Sequence, residues 1–310
     1  MDKHLTERIV NGLLIEHHSV FARRHAIHAG VSDDYLNRRV GSGALEVVHR
    51  GVLRRPGTPM SFRQRVEAAR LAVGDGAVAA RRTAGALHEL LAAREVEILT
   101  SESRQNRPRG FSVIRTNYLP DEHVVTVHGI PTTSVPRTIL DLGGVLPQGV
   151  VLRIAKDAIR LGKTSPAVLD EVFQDACRPG RPGSATARFL LAHLDVSEVI
   201  TESELEDSMF ETIRNGGYPK PVRQLRVFDD DIFVARPDGA YRRLLTALEA
   251  DGYEWHSAKP EWLKDRHRSN FLVSLGWVVL HYTWEDAERP ARFLQALGRT
   301  IKVRSRLLGD

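Results

Sequence analysis

The sequence predicts a multidomain mixed α/β protein, on three grounds. At 310 residues the chain exceeds what one ordinary core organises, so two domains, or two plus a connector, are expected. With 42% hydrophobic and 27% charged residues its composition is globular. The spacing of apolar residues switches repeatedly between a helical period and the alternation of strands.

The single cysteine, Cys177, excludes a disulfide framework or a cysteine-based zinc cluster within one chain and fits a reducing compartment. The start, MDKHLTERIV, carries charge and lacks an apolar signal core, and the most apolar stretch, FLVSLGWVVLHYTW (271–284), is too short to span a bilayer. A cytoplasmic protein with no membrane partner is expected. The net charge of +5 is unevenly spread: residues 1–60 hold nine basic against six acidic residues, 61–200 are also at +3, and 201–310 are at −1. A basic N-terminal part suggests an anionic partner, although a solvated mixed-charge face produces the same count.

In chain order, VFARRHAIHAG (20–30) reads as a short helix closed by Gly30. Ser32 then caps a second helix with Asp33 and Asp34 in its first turn, where the helix dipole favours acids. ALEVVHRGVLRR (44–55) is two β-rich runs around His49-Arg50-Gly51. Helix, turn, helix and basic hairpin are the plan of a winged helix-turn-helix. Asn37, Arg38 and Arg39 on the second helix, with Arg50, Arg54 and Arg55 on the wing, are the candidates for base and phosphate contacts. The same plan also serves protein-interaction modules.

Residues 61–92 read as helical, 95–101, 111–117 and 123–134 as strands, and 135–144, 151–163 and 165–177 as helices. Thr133-Ser134-Val135-Pro136-Arg137-Thr138 caps a packing helix and needs no chemistry. RPGRPGS (178–184) reads as a breaker and flexible joint. Beyond it come a short helix (185–194), a helix over 201–217, β-rich segments at 222–228, 231–236 and 243–250, a charged helix (260–275), a strand (277–283) and a final helix (286–300). The expected division is 1–60 winged helix, 61–184 mixed α/β connector, and 185–310 a mixed sheet flanked by helices.

Both halves resemble known families. RRVGSGALEVVHRGVLRR, GAVAARRTAGALHEL and HGIPTTSVPRTILDL make the N-terminal 200 residues similar to actinobacterial proteins with an AbiEi-type (type IV toxin–antitoxin) antitoxin domain. SELED, ARPDGAY, ALEADGYEWHS, DRHRSN and LGWVVLHYTWED make the last 110 similar to the nuclease-like domain related to very short patch repair endonucleases, in the PD-(D/E)XK superfamily. The second resemblance implies a restriction-endonuclease-like fold and a metal-dependent DNA endonuclease acting in defence, repair or mobile-element control. The alternative is a non-enzymatic DNA-binding regulator, or antitoxin-like protein, with a degenerate nuclease domain. A nucleotidyltransferase toxin is disfavoured, because no glycine-serine nucleotide motif is present.

The resemblance also implies a site. Phosphodiester hydrolysis uses a hard cation, Mg²⁺ or Mn²⁺, held by oxygen ligands. Asp238 and Glu249, 11 residues apart on two β-rich arms, and Glu206 on the preceding helix are the implied metal ligands, with the carbonyl of Ala250 as a further one. On spacing alone, surface acids beside arginines account for them equally well. The lysine of the superfamily motif is absent, and Asp251 stands there, holding metal or water or capping the Asp251-Gly252 turn. His256 matches a general acid/base or phosphate-contacting histidine, or else a hydrogen-bonded strand-end histidine. Arg268 either replaces the missing lysine at the phosphate or pairs on the surface with Asp265. Pro237 and Gly239 flank Asp238, and an irregular arm with a displaced Asp238 is expected from them. DNA is the expected partner, with a second copy of the chain or a partner protein as further candidates.

Overall fold

A computed structural model describes residues 3–101, 109–194, 196–251 and 269–309. The chain is mixed α/β, with several small sheets among its helices. Among the described residues no helix is long and apolar enough to cross a membrane.

The first unit contains α1 (Lys3–Glu16), β1 (Val20–Ala22), α2 (Arg23–His28), α3 (Asp33–Gly41), β2 (Glu46–His49) and β3 (Val52–Arg54). Ser32 Oγ accepts the Tyr35 amide at 3.3 Å, so the cap expected from sequence starts α3. Val20–Ala22 are not helical as expected: they pair with Arg54, Leu53 and Val52 in an antiparallel sheet of order β1-β3-β2. All three are fully buried, and tertiary pairing with Val52 and Leu53 overrides the local pattern. Val10, Leu14, Phe21, Ala26, Leu36 and Leu53 form the core.

The second unit is built on α4 (Phe62–Val73), which opens with a capping box of Ser61 and Gln64. One side of α4, through Ala68 and Leu71, packs with Val20, Ala22 and Val52 of the first unit. The other, through Val66 and Ala69, covers a five-stranded sheet of order β6-β5-β4-β8-β7. Its strands are β4 (Val78–Ala79), β5 (Glu97–Thr100), β6 (Ser112–Arg115), β7 (Val124–Val127) and β8 (Ile130–Thr133), with α5 (Arg81–Leu87) following β4. The residues from 74 to 80, expected to be helical, thus contain a central strand. α6 (Val135–Leu142), α7 (Gln148–Arg160), α8 (Pro166–Ala176) and α9 (Ser184–His193) then pack around Leu140, Ile154, Leu169 and Phe173. Ala187 and Leu190 place α9 in this cluster, whereas the sequence groups it with the C-terminal part.

The RPGRPGS segment is a packed turn where a flexible joint was expected. Ser184 Oγ donates to the Arg178 carbonyl, Arg181 Nη1 donates to Ala176 O at 2.7 Å, and Gly183 sits at φ +93° against the end of α6. A Cβ on Gly183 would lie 2.1 Å from the Leu140 carbonyl oxygen, so only glycine fits there.

The last part runs α10 (Val196–Asn215), β9 (Val222–Arg223), β10 (Val227–Asp229), β11 (Ile232–Ala235), β12 (Gly239–Tyr241), β13 (Thr246–Ala250), a helix described from 269 to 274 (α11), β14 (Val278–Tyr282), α12 (Trp284–Glu288) and α13 (Ala291–Leu308). The sheet order is β14-β13-β12-β9, with β13 and β14 parallel and the other pairs antiparallel. Leu248 faces Leu205, Met209 and Phe293 of α10 and α13, while Ala247 faces Leu272 of α11 and Val234. The β10–β11 hairpin leaves this sheet and docks on the second unit. Ile232 enters the α4 core, and the Asp231 carboxylate accepts the Phe62 and Arg63 amides at 2.6 and 2.8 Å.

Gly183→Ala is expected to lower stability by about 3 kcal/mol or more, since it combines a strained φ with a backbone clash. Urea denaturation measures this, and a loss of only a few tenths would show that the turn yields.

Candidate functional site

Two surfaces carry the candidate residues. On the first, α3 and the β2–β3 hairpin expose Asn37, Arg38, Arg50 and Arg55. Asn37 is not idle: its Oδ1 accepts from Arg23 Nη2, and Arg23 Nε also donates to Asp33 at 2.7 Å. Arg39 lies over the Tyr35 ring at 5.9 Å, and with Arg55 it lines a small cleft against Glu7 and Asn11 of α1. Arg55 donates to Asn11 there, while Arg54 pairs with Glu46 across the hairpin and donates to the Thr58 carbonyl at 2.9 Å. Of the six sequence candidates, Arg38 and Arg50 thus keep exposed guanidinium groups with no hydrogen-bond, ionic or ring partner among the described residues.

This surface is anchored on α4 and the turn that follows it. His17 Nδ1 lies 2.8 Å from Glu67, which Arg70 grips with two further bonds. Arg24 and His25 converge on Asp75, and Arg24 also donates to the Leu71 carbonyl at 2.8 Å. The hydrogen bonds and charge of Arg24, then those of His25, hold the Asp75 carboxyl well below the usual carboxylate range.

The second surface is acidic. Glu206 of α10 and Asp238, just ahead of β12, are both buried and meet around one cation, Arg160 at the end of α7. Arg160 Nη1 donates to Asp238 Oδ1 at 2.9 Å and to Glu206 Oε2 at 3.2 Å, and its Nη2 reaches Asp157 at 3.3 Å. Gln224 Nε2 bonds the same two oxygens at 3.1 and 3.2 Å, while its own Oε1 is buried with no partner among the described residues. The Ala250 amide donates to Asp238 Oδ2 at 2.9 Å. Asp238 is therefore held toward β13 even though Pro237 and Gly239 flank it. Gly239 pairs with both Leu248 and Arg223, so the arm is a regular strand from that residue on.

Burial, then the neighbouring charge of Asp238, pushes the Glu206 carboxyl above its ordinary value, with Gln224 and Arg160 opposing. For Arg160, burial would lower the pKa, but the charges of Asp238, Asp157 and Glu206 outweigh it and raise it further. Glu249 sits in β13 opposite His281 of β14. The Asp251 carboxylate lies 2.7 Å from His281 Nδ1, a contact that neither sequence reading of Asp251 anticipates. No group of three His, Cys, Asp or Glu among the described residues is arranged to hold a metal ion. His256 and Arg268 lie outside the described residues. Sequence reasoning misses Arg160 and Gln224. Arg160 reads as a helix-end surface arginine i+3 from Asp157, and Gln224 as one polar residue within the β-rich run 222–228.

Residues 10–56 match the model of a family described as transcriptional regulator, AbiEi antitoxin. The N-terminal part is thus similar to that family. Two uncharacterized proteins, from two strains of Mycobacterium tuberculosis, are each 30% identical over 131 residues, which is 42% of this chain and 47% of theirs. The chain therefore spans about half the length of the curated relatives it matches. The family match covers α2, α3 and the hairpin and ends before the acidic pair.

Two outcomes are expected from this geometry. A carboxyl held below its unfolded value contributes stability that is present above the ordinary carboxylate pKa and fades as pH falls. Asp75→Asn should thus lower the urea midpoint at neutral pH and flatten its decline below about pH 4. An unaltered pH profile would show that Asp75 anchors nothing. Removing Arg160 alone, as Arg160→Met, leaves two buried carboxylates without their cation and should cost about 3–5 kcal/mol. Arg160→Met combined with Glu206→Gln and Asp238→Asn should recover most of that loss in the same denaturation assay.

Proposed function

We propose that the protein is a DNA-binding transcriptional regulator of antitoxin type, whose residues 20–55 act as a winged helix-turn-helix. The observation that carries this reading is the joint placement of α3 and the hairpin inside residues 10–56, with Arg38 and Arg50 exposed on that one unit. In such a module the second helix enters the major groove while the wing follows the adjacent backbone. Asn37 and Arg38 would then approach base edges and Arg50 a phosphate. The Arg23–Asp33–Asn37 network fixes the start of α3, which limits the entropy lost on docking. Asp34, exposed in the first turn, repels phosphate and favours an approach in which the middle of α3 leads. A cytoplasmic location and a second copy of the chain on a two-fold DNA site accompany this reading.

A second reading, a metal-dependent endonuclease of the PD-(D/E)XK type, is favoured by the meeting of Glu206 and Asp238 beside the Ala250 amide on a mixed sheet. Glu249, Asp251, His256 and Arg268 would complete its site and Mg²⁺ or Mn²⁺ would be its cofactor. That reading requires Arg160 to leave the pair. A cleavage assay with Mg²⁺ or Mn²⁺ on matched, mismatched and single-stranded DNA separates the two readings.

For the leading reading, Arg38→Ala combined with Arg50→Ala should weaken duplex binding and shorten the log–log salt slope by about 0.9 for each phosphate that is no longer neutralised. Gel-shift titrations over a salt series measure both quantities. Wild-type affinity and slope in the double variant would remove α3 and the wing from the interface.

A further inference from the structure

The acidic pair of the C-terminal sheet is neutralised from within the chain. Arg160 belongs to the helical cluster of residues 135–193, and its Nη1 reaches across to Asp238 Oδ1 at 2.9 Å and Glu206 Oε2 at 3.2 Å. Asp157, one turn earlier on α7, receives Nη2 at 3.3 Å and fixes the direction of the guanidinium. The Ala250 amide holds the other oxygen of Asp238, so this carboxylate cannot rotate away without losing that bond. A Mg²⁺ ion needs oxygen ligands at about 2.0–2.1 Å in near-octahedral array. Arg160 Nη1 and Gln224 Nε2 already bond both Asp238 Oδ1 and Glu206 Oε2, so an ion bridging these oxygens would have to displace those donors and would meet the like charge of Arg160. The residues present therefore do not fit a divalent ion while Arg160 is in place.

We propose that Arg160 is an internal counter-cation that excludes divalent metal from Glu206 and Asp238, latching the α7 helical cluster to the C-terminal sheet. A metal-bound pair and an Arg160-bound pair are mutually exclusive states, and the folded chain occupies the second. This inference is independent of the DNA-binding reading, because it concerns neither α3 nor the wing.

The test uses the full-length protein and Mn²⁺ alone, with free ion followed by its electron paramagnetic resonance signal. Wild type and Asp238→Asn should bind Mn²⁺ indistinguishably, since the pair is closed in one and incomplete in the other. Arg160→Ala and Arg160→Gln should each gain one Mn²⁺ site, about tenfold or more tighter than any wild-type binding, as the repelling charge is gone. Adding Asp238→Asn to either variant should abolish that site. Mn²⁺ binding by the wild type that Asp238→Asn removes would overturn the proposal, and so would Arg160 variants that gain no site. Should the Arg160 variants not melt cooperatively in metal-free buffer, Mn²⁺ should restore a cooperative melt in an Asp238-dependent way. Failure of that rescue would equally overturn the proposal.

Discussion

Two buried carboxylates side by side require a cation between them, or one must take up a proton. Glu206 and Asp238 meet that constraint with Arg160, and the contact organises the last third of the molecule. The arginine comes from α7 and the carboxylates from α10 and the edge of β12, so neutralising the pair also joins the helical cluster to the C-terminal sheet. With side-chain exposures of 17%, 11% and 9%, solvent screens this contact only partly. Such a pair is strongly interdependent: each partner is costly to remove singly, while the set as a whole contributes modestly. Its role is thus better described as fixing one arrangement of two units than as adding stability.

The same logic recurs along the docking seam. The β10–β11 hairpin sends Ile232 into the α4 core and Asp231 to the N-terminus of α4. Arg226 and Arg236 both reach Glu89, a buried acid beyond the end of α5, at 2.8 and 2.6 Å. α4 in turn carries Ala68 and Leu71 against the sheet of the first unit, and Glu67 against His17. A path of packed and paired groups therefore runs from the exposed face of α3 to the acidic pair through α4. Contiguity alone does not make it a signalling path, because that needs an element with two arrangements. The Arg160 contact is the candidate for such an element, since an alternative cation would compete for the same oxygens.

What the sequence reveals follows from the range of the interactions involved. Ser32 capping α3, the Gly51 turn and the β-rich run that contains β13 are local, and each is legible. Val20–Ala22 read as helix because the residues that pair with them, Val52–Arg54, lie about 30 positions or more away. RPGRPGS has the composition of a linker, yet Gly183 is there because the end of α6 comes too close for a side chain. Gly239, which looks like a weakness beside Asp238, has a similar cause: a Cβ would stand 3.3 Å from the Phe210 ring and from Leu248. Arg160 lies 46 and 78 positions from its two carboxylates, and no window along the chain contains that relation.

The absent lysine of the nuclease motif takes on a different meaning in this light. Among the described residues, the cation that touches these carboxylates, Arg160, is supplied from another unit. An arginine in that position cannot be deprotonated to serve as a base, and its Nη1 occupies one oxygen of each carboxylate. Under the arrangement proposed above, the pair stays closed to a metal ion for as long as Arg160 remains docked on it. The guanidinium groups of Arg38 on α3 and Arg50 on the wing, by contrast, are exposed and have no partner among the described residues. That difference between the two surfaces favours the proposed regulator reading over the nuclease.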